Sequence, residues 1–495
     1  MTTPRLPSAL PDSTQARGRL ETGVPPLDPG VLDALASTGA TVTTTPASLA
    51  DHSRDWWPLS IGWAADGLVG ALAQVVVSPA TAHQVAAVLR ICDRAGVAVT
   101  PAAGRSGVCG GTVPVHGGVL LDLTALDQII EIDETSLVVR AEAGVFGPDL
   151  DAALRSTGSG YTLGHWPQSF DLSTVGGWLA CRGAGQYSTR YGKIEDMVRG
   201  LSVVLADGTT LTTDGHGPRS ATGPSLTQLF VGSEGTLGVI TDATLAIHPL
   251  PAAERRGAWG FSSFDEGMEA CRRILRRGAT PAVLRLYDET ESERNFDVAT
   301  NVLIVLDEAD EHLVDATMRI VSEELTAVPI LDVALVERWL EHRNNVGQLA
   351  PLWANRVVVD TIEMSGRWSV LTSVRTAVLA ALRAVEGTLV ASVHQSHSYT
   401  DGACLYFTFA GQAPEGSERA ADEAYYRACW DAATAAIVAG GAAISHHHGI
   451  GLNRGRFMAA ALGDALGALR AIKGALDPHS TLNPGKLGLD HEEPW

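Results

Sequence analysis

The sequence has little positive charge. Its 36 lysines and arginines face 56 acidic residues, for a net charge of −20. That balance excludes nucleic acid and an anionic membrane surface as main partners, because both need a basic face. An anionic substrate would likewise need local positive charge inside its pocket. Cysteine is sparse. Cys92, Cys109, Cys181, Cys271, Cys404 and Cys429 are far apart and form no CxxC pair, so reduced thiols in a cytoplasmic protein are expected. No apolar run can span a bilayer, since the longest, around Ala432 to Ile444, is short and broken by glycine. The first twenty residues lack a signal-type apolar core, and the last three are not a peroxisomal tripeptide. No GxGxxG joins a strand to a helix, which removes the nicotinamide-type Rossmann fingerprint. The one similar string, GIGLNRG at Gly449 to Gly455, follows a histidine run and has the wrong spacing.

What is present is glycine. Residues 101–122, PAAGRSGVCGGTVPVHGGVLLD, form a glycine-dense loop between two β-prone runs, Val97 to Thr100 and Val119 to Leu121. Gly104, Gly107, Gly110 and Gly111 allow tight bends and close approach, so several backbone N–H groups can converge on phosphate oxygens. A structural turn is the alternative, but hairpin turns take about two to five residues and this stretch is far longer.

With 495 residues, 45% of them apolar, the chain can bury a large core and is expected to form two domains of α+β class. Residues 1–69 form an N-terminal segment whose Pro, Ser and Thr content predicts loose order at its start. Within 70–250, Thr81 and Gln84 fit a capping box opening a helix with Val85, Val88, Leu89 and Cys92 on one face. Residues 128–133 and 136–143 read as a hairpin, as does 201–213 with Asp207-Gly208 at its turn. Residues 251–440 alternate strands, such as Val302 to Leu306, with amphipathic helices at Glu311 to Leu325 and Glu423 to Ala439. Residues 441–495 carry a histidine cluster followed by LNPGKLG.

Four segments together resemble the flavoprotein superfamily of vanillyl-alcohol oxidase (PCMH) type. They are VTPAAGRSGVCGGTVP, PQSFDLSTVGGWLACRGAGQYSTRYGKIEDMV (167–197), GSEGTLGVIT (232–241), and SHHHGIG (445–451) with DGACLYF (401–407) upstream. The last pair resembles the alkyl-dihydroxyacetone-phosphate synthase branch. The resemblance implies a two-subdomain PCMH-type FAD-binding domain at 70–250. It also implies an α/β cap with an antiparallel sheet at 251–440 and a C-terminal segment returning to the flavin. By the family pattern Pro101, Ala102, Ala103, Gly104, Arg105, Ser106 and Gly107 wrap the pyrophosphate. Gln168, Ser169, Ser173 and Thr174 serve the ribityl and isoalloxazine ends, and Cys181, Arg182 and Ala184 continue that wall. Glu234, Gly235, Thr236, Gly238, Val239 and Ile240 let a strand pass flat against the cofactor. Arg105 stands where relatives carry glycine, and it either adds charge toward the phosphates or faces solvent. No histidine occurs between Pro101 and Gly107, so FAD is expected to be non-covalent.

His446, His447 and His448 are consecutive and cannot all point one way on an extended chain. Zinc sites draw spaced ligands, so no metal is expected. A surface histidine patch is the bland alternative. The preferred reading puts one or two of them at the flavin, where neutral imidazole can take and return a proton. Tyr406 matches the family's acid/base tyrosine; the alternative is a strand tyrosine packed in the cap core. His394 and His397 approximately share one strand face and are expected to contact substrate or to be hydrogen-bonded structure. The synthases carry a substrate-binding arginine before the segment matched by DTIEMS (360–365); here Leu349 falls at or near that place, with Arg343 and Arg356 out of phase. Two activities follow. The first is synthase-like ether-lipid chemistry through an adduct at flavin N5. The second is hydride transfer from a hydroxy acid or polyol, as in the glycolate-oxidase and D-lactate-dehydrogenase relatives. Expected partners are a small-molecule substrate, lipid-derived or phosphorylated in the first case, and a second copy of the chain. Arg105, Arg182 and Arg285 are the cations within reach of a phosphate.

Overall fold

A computed structural model describes residues 4–20, 23–490 and 495. Three sheets carry the architecture. The first has strands β1 (Thr41–Thr43), β2 (Val75–Ser78), β3 (Val99–Ala102) and β4 (Val119–Asp122), in the order β1-β2-β4-β3. β4 pairs in parallel with both β2 and β3. Helix α1 (Ala82–Ala95) crosses from β2 to β3. Thr81 Oγ1 accepts from the Gln84 N–H at its start, and left-handed Gly96 ends it. Its buried Val85, Val88, Leu89 and Cys92 pack on the sheet, as their spacing predicts. The glycine-dense residues 103–118 lie between the parallel β3 and β4, so this crossover is a loop rather than a helix.

The second sheet holds β5 (Ile129–Asp133), β6 (Val138–Glu142), β7 (Val198–Val204), β8 (Thr210–Thr212) and β9 (Val239–Ala246), ordered β8-β7-β9-β6-β5. Every pairing in it is antiparallel, and both expected hairpins, β5-β6 and β7-β8, are present.

The third sheet contains β10 (Ala253–Phe261), β11 (Val283–Tyr287), β12 (Asn301–Ala309), β13 (Ile330–Leu331), β14 (Val358–Arg367), β15 (Thr388–Ser398) and β16 (Gly402–Gly411). Its order is β13-β10-β12-β11-β15-β16-β14, antiparallel throughout. Leu405, Phe407 and Phe409 of β16 alternate onto one face and bury there, in one core with Leu371, Val374 and Val378 of α2 (Trp368–Ala384) and Tyr426 and Trp430 of α3 (Arg419–Ala439). Tyr406, between them, points to the opposite face.

The N-terminal segment departs from expectation. Residues Pro29–Ser37, Pro46–His52 and Pro58–Ala65 are helical, each with proline in its first turn. Trp57 is fully buried and meets Trp63 and Trp495 edge-on, with centroids 5.2 and 5.3 Å away. Its indole N–H donates to Tyr426 Oη at 2.9 Å, and Tyr426 donates to Asp360 at 2.7 Å. Proline here starts helices rather than preventing them, and aromatic burial fixes the segment on the third sheet's helices. Among the described residues no helix is long and apolar enough to cross a membrane.

Trp57→Ala removes two edge-on ring contacts and leaves the Tyr426–Asp360 pair beside a cavity. A loss of about 3–5 kcal/mol is expected, read as a lower urea unfolding midpoint.

Candidate active site

The glycine-dense loop is a cradle of free donors. None of the backbone N–H groups of residues 104–111 donates to a described residue of the chain. Gly104 is compelled by proximity, because a Cβ there would lie 2.3 Å from the Leu172 carbonyl oxygen. Arg105 is held at φ 54° and is only 8% exposed, and its Nε and Nη1 have no hydrogen-bond partner. Burial pushes its pKa down, opposed by Asp122, Asp51 and Asp55. A buried guanidinium without an acceptor is costly, and a bound anion removes that cost.

A single large cavity runs from this loop, enclosing about 1590 Å³ with its open mouth included. Pro101 to Gly107 line one end, and Gln168, Ser169, Ser173, Thr174, Cys181 and Ala184 a side. Glu234, Gly235, Gly238, Val239 and Ile240 line another, while Asp55 and Trp56 join from the N-terminal segment and Val346 from the third sheet's insertions. Thr174 caps the short helix Val175–Ala180 through Gly177, and Ser173 Oγ accepts from the Trp178 indole at 2.6 Å, so this wall is internally braced. The Glu234 carboxylate does not point at a ligand. It accepts from the Ile450 and Gly451 N–H groups at 2.6 and 2.7 Å, tying the second sheet to the C-terminal segment. Left-handed Gly451 passes so close to Cys109 that a Cβ would lie 2.3 Å from its carbonyl oxygen.

The far end is built on the third sheet. Glu363, Tyr406, His394 and Tyr287 are consecutive cross-strand partners on β14, β16, β15 and β11 and so form one row on one face. A register shift between Gln395 and His397 places His397 opposite Cys404, two residues from Tyr406. That bulge is why residues three apart share a face. Over this face lies the loop of His446, His447 and His448, held from below by Glu363. The carboxylate accepts from the His446 N–H by a short bond, from the His448 N–H at 3.0 Å, from Ser445 Oγ at 2.9 Å and from Arg454 Nη1 at 2.7 Å. Tyr406 Oη lies 3.3 Å from His448 Nε2 and accepts from Thr361 Oγ1 at 3.1 Å. His446 Nε2 lies 2.9 Å from Tyr399 Oη, and its Nδ1 2.9 Å from His447 Nδ1.

Burial sets the protonation states. It pushes His446 and His447 down to about 3 and His448 down to about 4, so all three are neutral near pH 7. The neighbouring Glu363 carboxylate opposes that shift without reversing it. The Arg454 guanidinium, which donates to it, holds Glu363 well below the ordinary carboxylate range despite its burial. Burial drives Tyr406 up, so its hydroxyl keeps its proton.

Comparison with known proteins identifies the cofactor. Residues 73–214 match the family model of an FAD binding domain, and residues 250–487 match that of FAD linked oxidases, C-terminal domain. The uncharacterized FAD-linked oxidoreductase YgcU of Escherichia coli O157:H7 is 32% identical over 433 residues, covering 83% of this chain and 88% of that protein. The chain belongs to the FAD-linked oxidase family. Alkyldihydroxyacetonephosphate synthase of Dictyostelium discoideum is 28% identical over 452 residues, covering 83% of this chain and 73% of that protein. Among solved structures, an alkyldihydroxyacetonephosphate synthase superposes with TM-score 0.78 at 23% identity, over 94% of this chain and 87% of that one. p-Cresol methylhydroxylase superposes with TM-score 0.74 at 17% identity, over 95% and 99%. The fold is therefore the PCMH type, and this FAD-linked oxidase family member is a flavoenzyme.

The residues present suit FAD. Free N–H donors and an unpaired guanidinium suit a diphosphate, and the walls from the second sheet offer small side chains where a ring system must slide past. Of the expected contacts, Arg182 and Thr236 are not on the wall. Arg182, at φ 55°, directs its side chain to Glu195 at 3.4 Å, and buried Thr236 donates to the Ser233 carbonyl. Both sit on turns whose residues alternate toward and away from the cavity. Of the histidines, His447 and His448 reach the cavity with Tyr406, whereas His446 turns to Tyr399.

His394 and His397 stand behind the wall. His394 bridges Glu291 at 2.8 Å and Arg285 at 3.0 Å, and His397 keeps a buried, unpartnered Nε2. Donor atoms of His397, Cys404, His446 and His447 lie within 4.8 Å of one another, a spacing a metal ion accepts. His446 and His447 already share a hydrogen bond, and His397 Nδ1 meets Ser396 Oγ at 2.8 Å, so we read the group as a hydrogen-bonded cluster. Asp55, Trp56, Val346, Glu363 and Arg454 were not foreseen. A signal for Glu363 exists in VVVDTIEMS, where an acid stands in an otherwise buried strand.

Two outcomes follow. Arg105→Met keeps the stem and deletes the charge, and is expected to weaken FAD binding at least about tenfold by flavin fluorescence titration. Glu363→Gln cannot serve four donors and leaves Arg454 uncompensated, so a destabilisation of about 3–5 kcal/mol is expected in urea unfolding.

Proposed function

We propose that this flavoenzyme oxidises a hydroxyl group of a small molecule, with His448 and Tyr406 handling the proton. The observation that carries the reading is their pairing at 3.3 Å on the wall of the FAD cavity, with His448 neutral. Residues 104–111 and Arg105 would hold the FAD diphosphate, and the bound flavin would supply the two-electron acceptor. With Thr361 donating to Tyr406 Oη, the tyrosine proton is directed to His448 Nε2, which is free to accept it. His448 Nδ1, 3.8 Å from Glu363, then faces a negative charge that favours the imidazolium while it lasts. The substrate hydroxyl delivers its proton to this pair through Tyr406 Oη, and Glu363 fixes the loop so that the distance holds.

Position 349 supports oxidation over group exchange. Leu349 packs against the apolar core, Arg356 is committed to Asp422 at 2.9 Å, and Arg105 is the only lysine or arginine among the described wall residues. A dihydroxyacetone phosphate headgroup has no cation there. The synthase reading keeps support from the Dictyostelium relative and from the histidine triplet beside Tyr406.

Anaerobic mixing with hydroxy acids and polyols is expected to bleach the flavin. Ether formation from acyl-dihydroxyacetone phosphate and hexadecanol, with the flavin returning to its oxidised colour, would select the synthase instead. Tyr406→Phe should retain FAD and slow flavin reduction by about 10²-fold or more. Because His448 must be neutral and its pKa is depressed to about 4, the acid limb of the rate should fall near pH 4 to 5. An ordinary imidazole would place it near about 6.5.

A further inference from the structure

A second cavity adjoins the first, enclosing about 710 Å³ and lined by Arg155, Thr162, Trp166, Tyr187, Glu308 and Arg343 among others. Three chain segments form a wall common to both. Trp166 faces the second cavity and Gln168 the first; Tyr187 and Ala184 divide in the same way, as do Arg343 and Val346. Gln186 Nε2 donates to Asn344 Oδ1 at 3.3 Å within that wall.

Arg343 is the unusual group. Its guanidinium carbon lies 5.1 Å from the Tyr187 ring, 5.5 Å from Trp339 and 5.9 Å from Trp166. It forms no side-chain hydrogen bond or ion pair with a described residue, and its Nη1 is shut from solvent. Arg155, beside the same Trp166 ring at 5.9 Å, is instead paired with Asp151 at 2.7 Å. Glu308, the acid on this cavity, accepts from Tyr191 at 2.8 Å; it feels the Arg343 charge but makes no direct ion pair with it. Three rings fix the plane of the Arg343 guanidinium and leave its donors open, the state that a carboxylate or phosphate completes with two parallel hydrogen bonds. The FAD cavity lacks any such free cation away from the diphosphate loop.

We infer that this second cavity is an oxyanion site outside the FAD cavity, in which Arg343 binds a carboxylate or phosphate group. FAD-loaded wild type, Arg343→Met, Arg343→Lys and Arg155→Met are titrated calorimetrically with inorganic phosphate and, separately, with acetate at low ionic strength. Saturable binding of one equivalent to wild type is expected, at least tenfold weaker in Arg343→Met, weakened in Arg343→Lys because an ammonium cannot give two parallel hydrogen bonds, and weakened less in Arg155→Met, whose guanidinium is already paired with Asp151. FAD content equal to wild type shows that each variant is folded. Absence of saturable binding, or equal binding by Arg343→Met, overturns the anion site.

Discussion

One buried carboxylate organises the histidine-lined end of the cavity. Glu363 is fully enclosed, yet it is kept ionised by Arg454 and by two backbone N–H groups of the histidine loop. An unpaired carboxylate at that depth would neutralise itself, and the loop would lose the acceptor that shapes it. The ion pair is not there to add net stability, since burying both charges roughly cancels their attraction. Its effect is geometric. Three adjacent histidines, which on an extended strand would alternate in direction, are bent around one acceptor so that two reach the cavity and the third seals its back.

The same logic explains why the third sheet has two dissimilar faces. Asp360 and Glu363 both lie on β14 but point oppositely. Asp360 closes a hydrogen-bonded knot with Tyr426 and Trp430 among the helices, where burial lifts its pKa to about 6. Glu363 looks toward the cofactor domain. A single strand thereby fixes the packed side and the cavity side in register, and the alternation of β16 between Phe407, Phe409 and Tyr406 repeats the division.

Much of the scaffold was legible in the sequence because its signals are local. The glycine loop between two β-prone runs, the capped helix after Ser78, both hairpins and the long amphipathic helices each declare themselves within about twenty residues. The flavin-facing segments were legible through resemblance, and most of their residues do line the cavity. What could not be read depends on distant partners. Nothing local says that Trp57 will meet Tyr426, that Glu363 will lie under a loop eighty positions later, or that a bulge will align His394 with His397. Composition alone suggests loose order at the start of the N-terminal segment and does not reveal that Leu35 and Ala50 further along are fully buried. Arg182 and Thr236 turn from the cavity for a smaller reason: on a tight turn, neighbouring residues can face opposite ways.

The cavity draws walls from chain positions as far apart as Asp55 and Gly451, and behind it Asn483 bonds the carbonyl groups of Gly111 and Glu234 while Lys486 bonds that of Val113. The loop following β3 thus leaves the ribosome long before the pieces that clamp it. During vectorial synthesis the nascent protein therefore holds an open, donor-rich cradle, and the cavity is completed only once the segment carrying Gly451, Asn483 and Lys486 has emerged and docked.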